Sequence, residues 1–142
     1  MDYVEFETGK FIVSRAPHDA DLVQFITDLA KEKDVKMGAF TAIGALKRAK
    51  LGFYNQESHE YQENEINHPC EIASCIGNIS LKDDEPFVHA HAVLADEDGN
   101  TKAGHLSEGK VFAAEIHLQV LEGSELKRKH DGITDLSLWK IR

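Results

Sequence analysis

Apolar and polar positions alternate along most of this chain, with one stretch of helical period near the start. Residues 3–15 read as a strand pair, with Val4 and Phe6 before a Thr8-Gly9-Lys10 turn and Phe11 and Val13 after it. Over residues 19–33 the period changes. Leu22, Phe25, Ile26 and Leu29 fall at i, i+3, i+4 and i+7, an apolar stripe on one helix face. Asp19 and Asp21 at its start and Lys31 and Lys33 at its end match the helix dipole. Beyond Gly38 the pattern is mostly β. Residues 39–46 and 50–55 read as two strands of a hairpin turning at 47–49. Residues 55–70 are polar, a loop around a short edge strand at Tyr61. Further strands are predicted at 71–81, 87–95, 102–107 and 110–121. The last is the longest alternation: Phe112, Ala114, Ile116 and Leu118 on one face, Ala113, Glu115, His117 and Gln119 on the other. Strands in runs with a single helix argue for an α+β fold and against repeating βαβ units. So much sheet with one helix leaves a face or edges uncovered, a physical motive for self-association.

Composition narrows the class. A chain of 142 residues, 42% hydrophobic and 29% charged, is that of one globular domain. The apolar stretches are too short to span a bilayer, and Asp2, Glu5 and Glu7 stand where a signal peptide would be basic, so a cytoplasmic location is expected. Sixteen basic against 25 acidic side chains give a formal charge of −9, which argues against direct DNA binding. The one dense basic run, Lys127-Arg128-Lys129-His130, reads as a solvated turn. Cys70 and Cys75, five apart on a strand, are expected on opposite faces, forming neither a disulfide nor a shared metal site.

Candidate chemistry centres on His89-Ala90-His91. On a strand both imidazoles share a face about 7 Å apart at Cα, close enough to converge on one ion. Alone, such a pair is as often a hydrogen-bonded feature of a sheet surface. The turn that follows decides how His105 joins it. A three-residue loop Glu97-Asp98-Gly99 would pair Asp96 with Asn100 and set His91 opposite His105, with His89 diagonal to it. A two-residue Asp98-Gly99 turn would send His105 to the other face. Three imidazoles without a fourth protein ligand leave an open position. Zinc suits them, and nickel, copper and iron also bind imidazole; the competing reading is a purely structural polar cluster. Glu115 and His117 share a face of the long strand, with Glu115 a candidate general base. His18, His59, His68 and His130 stand in loop or terminal contexts and read as surface residues.

Several ordered blocks carry a family resemblance over residues 8–140. They are Gly38-Ala39-Phe40-Thr41-Ala42-Ile43-Gly44-Ala45-Leu46, Leu51-Gly52-Phe53-Tyr54, Glu71-Ile72 and Gly77-Asn78-Ile79-Ser80. They continue with Pro86-Phe87-Val88-His89-Ala90-His91-Ala92-Val93-Leu94, Ala103-Gly104-His105-Leu106, Gly109-Lys110-Val111 and Ala114-Glu115-Ile116. Together they resemble the PPC domain (plants and prokaryotes conserved). The resemblance implies an α+β fold in which a curved, largely antiparallel sheet wraps around one main helix, and assembly into homotrimers. Prokaryotic members are stand-alone domains often labelled as DNA-binding. The fold is also similar to acetolactate decarboxylase, which holds zinc with a His-x-His pair and a later histidine; His89, His91 and His105 correspond. The Arg-Gly-Arg-Pro core of the AT-hook that precedes the domain in plants is absent, and Ala103 stands where glycine is usual.

Two functions follow as expectations, a metal-containing homotrimeric binding module for protein or small-molecule partners, and a metal-dependent lyase or hydrolase. The second requires a cleft beside the histidines with Glu115, or an arginine such as Arg48, facing in. A DNA-binding protein, the third, would require a continuous basic face.

Overall fold

The computed structural model describes residues 1–141. Its elements are β1 (Glu7–Ala16), α1 (Leu22–Glu32), β2 (Gly38–Asn55), β3 (Glu60–Ile66), β4 (Cys70–Lys82), β5 (Glu85–Ala95), β6 (Thr101–Glu122), β7 (Arg128–His130) and β8 (Ser137–Trp139). Six strands form one antiparallel sheet in the order β1-β6-β5-β4-β2-β3, and β7 and β8 form a separate two-stranded ribbon. The α+β expectation holds, with a largely antiparallel sheet and a single helix among the described residues.

The 22-residue β6 organises the sheet. Thr101–His105 pairs with β5, the stretch from His105 to Val120 with β2, and Ala114–Glu122 with β1. Because β2 also pairs with β4, and β4 with β5, the strands β6, β2, β4 and β5 close a circuit of hydrogen-bonded neighbours. Inward-facing Phe40, Ala42, Leu46, Ile72, Cys75, Ile79, Ala92, Leu94, Ile116 and Leu118 form the core with Leu22, Ile26, Leu29 and Ala30 of α1. Removing that apolar area from water is the main stabilising term.

Asp21 fixes the helix to the sheet. One carboxylate oxygen accepts from Gln24 N at 2.8 Å as the N-cap, and the other accepts from Gly109 N of β6 at 2.8 Å. The backbone N–H of Val111 donates to Ala20 O at 2.9 Å alongside. The helix therefore begins at Leu22, not at 19.

Several boundaries differ from the sequence reading, and bulges explain most of them. No turn occurs at 47–49. β2 runs straight through, with Lys47 as the extra residue of a bulge opposite β6, its ammonium bonded to Asp19 at 2.8 Å. The separate strands expected at 102–107 and 110–121 are likewise one strand. Phe112 is the extra residue of another bulge, so it leaves the face of Ala114 and Ile116 and is 59% exposed. A bulge at Ala73 turns Cys70 and Cys75 to the same, inner face, where both are buried free thiols. Residues 3–6 pair with nothing in the sheet, and β1 passes through the expected 8–10 turn as extended chain. The polar stretch 55–70 holds a full strand, β3, on the edge beside β2. No helix of the described residues is long and apolar enough to cross a membrane.

Candidate metal centre

The geometry of the site starts in the β5–β6 turn. Asp96 N donates to Asn100 O at 2.9 Å and Gly99 N to Asp96 O at 3.0 Å, closing the three-residue loop 97–99. Gly99 takes φ 80°, a left-handed conformation that side-chain-bearing residues resist. The Asp96 carboxylate also accepts from the backbone N–H groups of Asp98 and Asn100, at 3.0 and 2.9 Å. This loop sets the register Ala95↔Thr101 through His91↔His105. His91 and His105 are therefore cross-strand neighbours, and His89 shares their face.

The three imidazoles meet. Ring centroids lie 5.1 Å apart for His89–His91, 5.3 Å for His89–His105 and 5.8 Å for His91–His105. One ring nitrogen from each lies within 4.8 Å of the others. Ligands at 2.0–2.1 Å from a tetrahedral ion would be about 3.4 Å apart, reached by small ring rotations. His91 is exposed, whereas His89 and His105 are half-buried.

Two properties fit these residues to a metal ion. His105 Nδ1 is buried without any hydrogen-bond partner, a costly state for an imidazole nitrogen unless something else satisfies it. Burial, then Arg128, then His105 and His91 push the His89 pKa down to about 4. Burial and then His91 lower that of His105 as well. Both rings are thus neutral at neutral pH, the form that ligates metals.

The surroundings were only partly foreseen. Glu115, the candidate base, lies ten residues beyond His105 on β6, about 30 Å along the strand, and pairs with Arg15 and Ile43. His117 is beside it, its ring 6.1 Å from Phe11. Arg48 points to Glu108, 3.6 Å away, and does not enter the site. His18, His59, His68 and His130 are exposed, as expected.

The C-terminal ribbon is what sequence reasoning missed. Its basic run lies on a strand and not in a turn: Lys127, Lys129 and His130 are exposed as expected, but Arg128 is not. Arg128 is half-buried against the outer sheet face, donating Nε–H to Ser80 Oγ at 2.9 Å, Nη2–H to Asn78 Oδ1 at 2.9 Å and Nη1–H to Ser137 O at 3.1 Å. Its guanidinium lies 5.2 Å from the Phe87 ring and 5.3 Å from the Trp139 ring. Asn78 is the cross-strand partner of His89, so Arg128 sits one residue from the histidine group. At the ribbon's far end Thr134 O accepts from the Tyr54 hydroxyl at 2.6 Å. Tyr54 packs on Tyr61 at 4.9 Å, and Tyr61 on His105 at 5.7 Å. Gly52 makes room for this: a Cβ there would stand 3.2 Å from the Tyr61 ring. The ribbon thus reaches Asn78, opposite His89, on one side and Tyr54, one ring removed from the ring on His105, on the other.

The comparisons with known proteins agree with this architecture. The model of the Plants and Prokaryotes Conserved (PCC) domain family matches residues 3–122. A metal-containing protein of Archaeoglobus fulgidus is 39% identical, with 99% of each chain covered and a TM-score of 0.95. A plant- and prokaryote-conserved (PPC) protein of Pyrococcus horikoshii is also 39% identical, covering 99% of this chain and 97% of that one, with a TM-score of 0.94. A Staphylococcus aureus protein similar to alpha-acetolactate decarboxylase shares only the fold. It has 13% identity and a TM-score of 0.55 over 82% of this chain and 54% of that one. Among curated proteins none matches. With a family match over most of its length and two such relatives, this chain belongs to the Plants and Prokaryotes Conserved domain family.

Proposed function

We propose that this chain is a metal-containing binding module in which His89, His91 and His105 hold one divalent transition metal, zinc first among them. The observation that carries this reading is the convergence of three imidazoles, one of which, His105, also has a buried Nδ1 without a hydrogen-bond partner. The metal-containing relative from Archaeoglobus fulgidus supports it. Three nitrogen ligands leave a coordination position for a partner's group or a small molecule. Bound there, the ion would polarise that ligand or acidify a water.

The module is proposed to act as a homotrimer whose sheet curves around α1. In support, the outer sheet face carries Phe11, Val13, Ile43 and Ile76, each more than half exposed. Val13, His117, Thr41, Ile76 and His91 follow one another in register across it. Exposed apolar side chains on one face of this kind suit contact with further copies of the chain. A metal-dependent lyase or hydrolase is the second reading, favoured by the exposure of His91 at the open position. It ranks lower because Glu115 and Arg48, the candidate assisting groups, lie elsewhere. DNA is not the proposed partner: the charge is −9, Lys127 is paired with Asp84 and Glu125, and Arg128 turns inward.

Elemental analysis of untagged protein tests the site, with wild type and His105→Ala in parallel. About one metal per chain, lost in the variant, is the expected result. Wild type that stays metal-free after zinc is offered at neutral pH would overturn the reading.

A further inference from the structure

We propose that the histidine site takes a small carboxylate anion as its ligand, with one oxygen on the metal's open position and another accepting from Arg128. This deepens the metal-site reading and rests on it.

The charge count leads there. The metal-ligating group is three imidazoles and contains no carboxylate. Imidazole nitrogens bring no negative charge to a metal they ligate, so a divalent ion would bring its full charge to the site with no protein anion to offset it. Arg128 adds a second uncompensated cation. No Asp or Glu among the described residues forms an ion pair with it, although ten contacts between a Lys or Arg and an acid decorate the rest of the surface. A half-buried guanidinium without a carboxylate is costly in a structure so rich in acids, which points to an anion supplied from outside.

Donor geometry gives the anion's chemistry. A guanidinium carries five N–H donors, and protein oxygens of Ser80, Asn78 and Ser137 take three. Those contacts, with Phe87 and Trp139 against the ring plane, fix the fork rigidly beside His89. Two donors remain, both on the terminal nitrogens. A guanidinium N–H is a strong charge-assisted donor to the oxygen that a metal-held carboxylate leaves free, and a preordered one loses little entropy on binding it. The aromatic rings of Tyr61, against His105, and of Phe87, against Arg128, favour a compact organic acid over a hydrated inorganic ion.

The test uses full-length protein loaded with cobalt(II), whose visible absorption reports a change of ligand at the metal. Acetate is titrated into wild type, Arg128→Gln, Arg128→Lys and Lys129→Gln, with acetamide as the uncharged control and metal content measured for each. The expected result is a saturable spectral change with acetate and none with acetamide. Affinity should fall at least about tenfold in Arg128→Gln and stay at the wild-type value in Lys129→Gln, as for loss of one charge-assisted hydrogen bond. Arg128→Lys, which keeps the charge but not the fork, should fall between them and serves if the glutamine variant does not fold. Loaded wild type that gives no acetate-dependent change would overturn the inference and leave the metal site standing. Equal affinity in wild type and both Arg128 variants would do the same. Failure of wild type to load cobalt at all would overturn the metal reading itself.

Discussion

His89 shows how far its neighbours set the chemistry of a single side chain. In the metal-free protein its pKa is pushed down to about 4, by burial first and then by Arg128, His105 and His91. An unperturbed histidine titrates at about 6.5. Between those values the unfolded chain holds a proton that the folded chain refuses, so stability falls as pH drops from about 6.5 towards 4 and levels off below. His105 is shifted the same way. Chelator-treated protein should therefore show a lower urea midpoint at about pH 5 than at about pH 7, and His89→Asn should narrow the gap. An equal gap in the variant would place the acid sensitivity elsewhere. The grouping of the three histidines was legible in the sequence because they lie on one hairpin, whose turn residues fix the register. Arg128 was not: its partners Asn78 and Ser80 are about fifty residues away, and only the fold brings them together.

At the level of elements, Asp21 carries two loads. It caps α1 and it accepts the Gly109 N–H of β6, so one carboxylate ties the helix to the longest strand. Asp21→Ala should lower stability by roughly 1–3 kcal/mol, the loss of a cap plus a charge-assisted bond, read as a shift in denaturant midpoint. Asp21→Ser, which can cap but not reach both donors, should recover part of that. A loss of a few tenths of a kcal/mol in the alanine variant would mean the Gly109 contact contributes nothing. The helix and most strands were legible because period follows local geometry. The bulges were not. Lys47 and Arg48 look like a turn because they are polar and adjacent, yet their ion pairs with Asp19 and Glu108 hold them on an uninterrupted strand. A bulge also breaks the parity on which face assignments depend, and so Phe112 was placed on the wrong face and Cys70 and Cys75 on opposite ones.

For the molecule as a whole, the open question in the sequence was what covers the outer sheet face. If copies of the chain cover it, a charge there should separate them without touching the metal ligands. Val13→Asp combined with Ile43→Asp is expected to reduce a three-chain mass to one chain by light scattering, with metal content unchanged. A wild type that is already a single chain would reject the trimer, and a trimeric double variant would move the contact elsewhere. The α+β class, the antiparallel sheet and the family could all be read from ordered sequence blocks. Symmetry could not, because nothing in one chain's residue pattern encodes a rotation axis.

The reach of β6 has a consequence for how the protein comes into being. The strand that joins β1, β2 and β5 begins only at Thr101. On the ribosome, everything before it emerges first, with three strand edges waiting for a partner still unmade. Closure of the circuit must then join segments far apart in the chain, which is slow for sheet topologies of this kind. During that interval the nascent chain exposes unpaired edges and apolar faces to its neighbours. The same strand that makes the finished molecule coherent therefore makes its birth the moment of greatest vulnerability to aggregation, and the natural point for a chaperone to attend it.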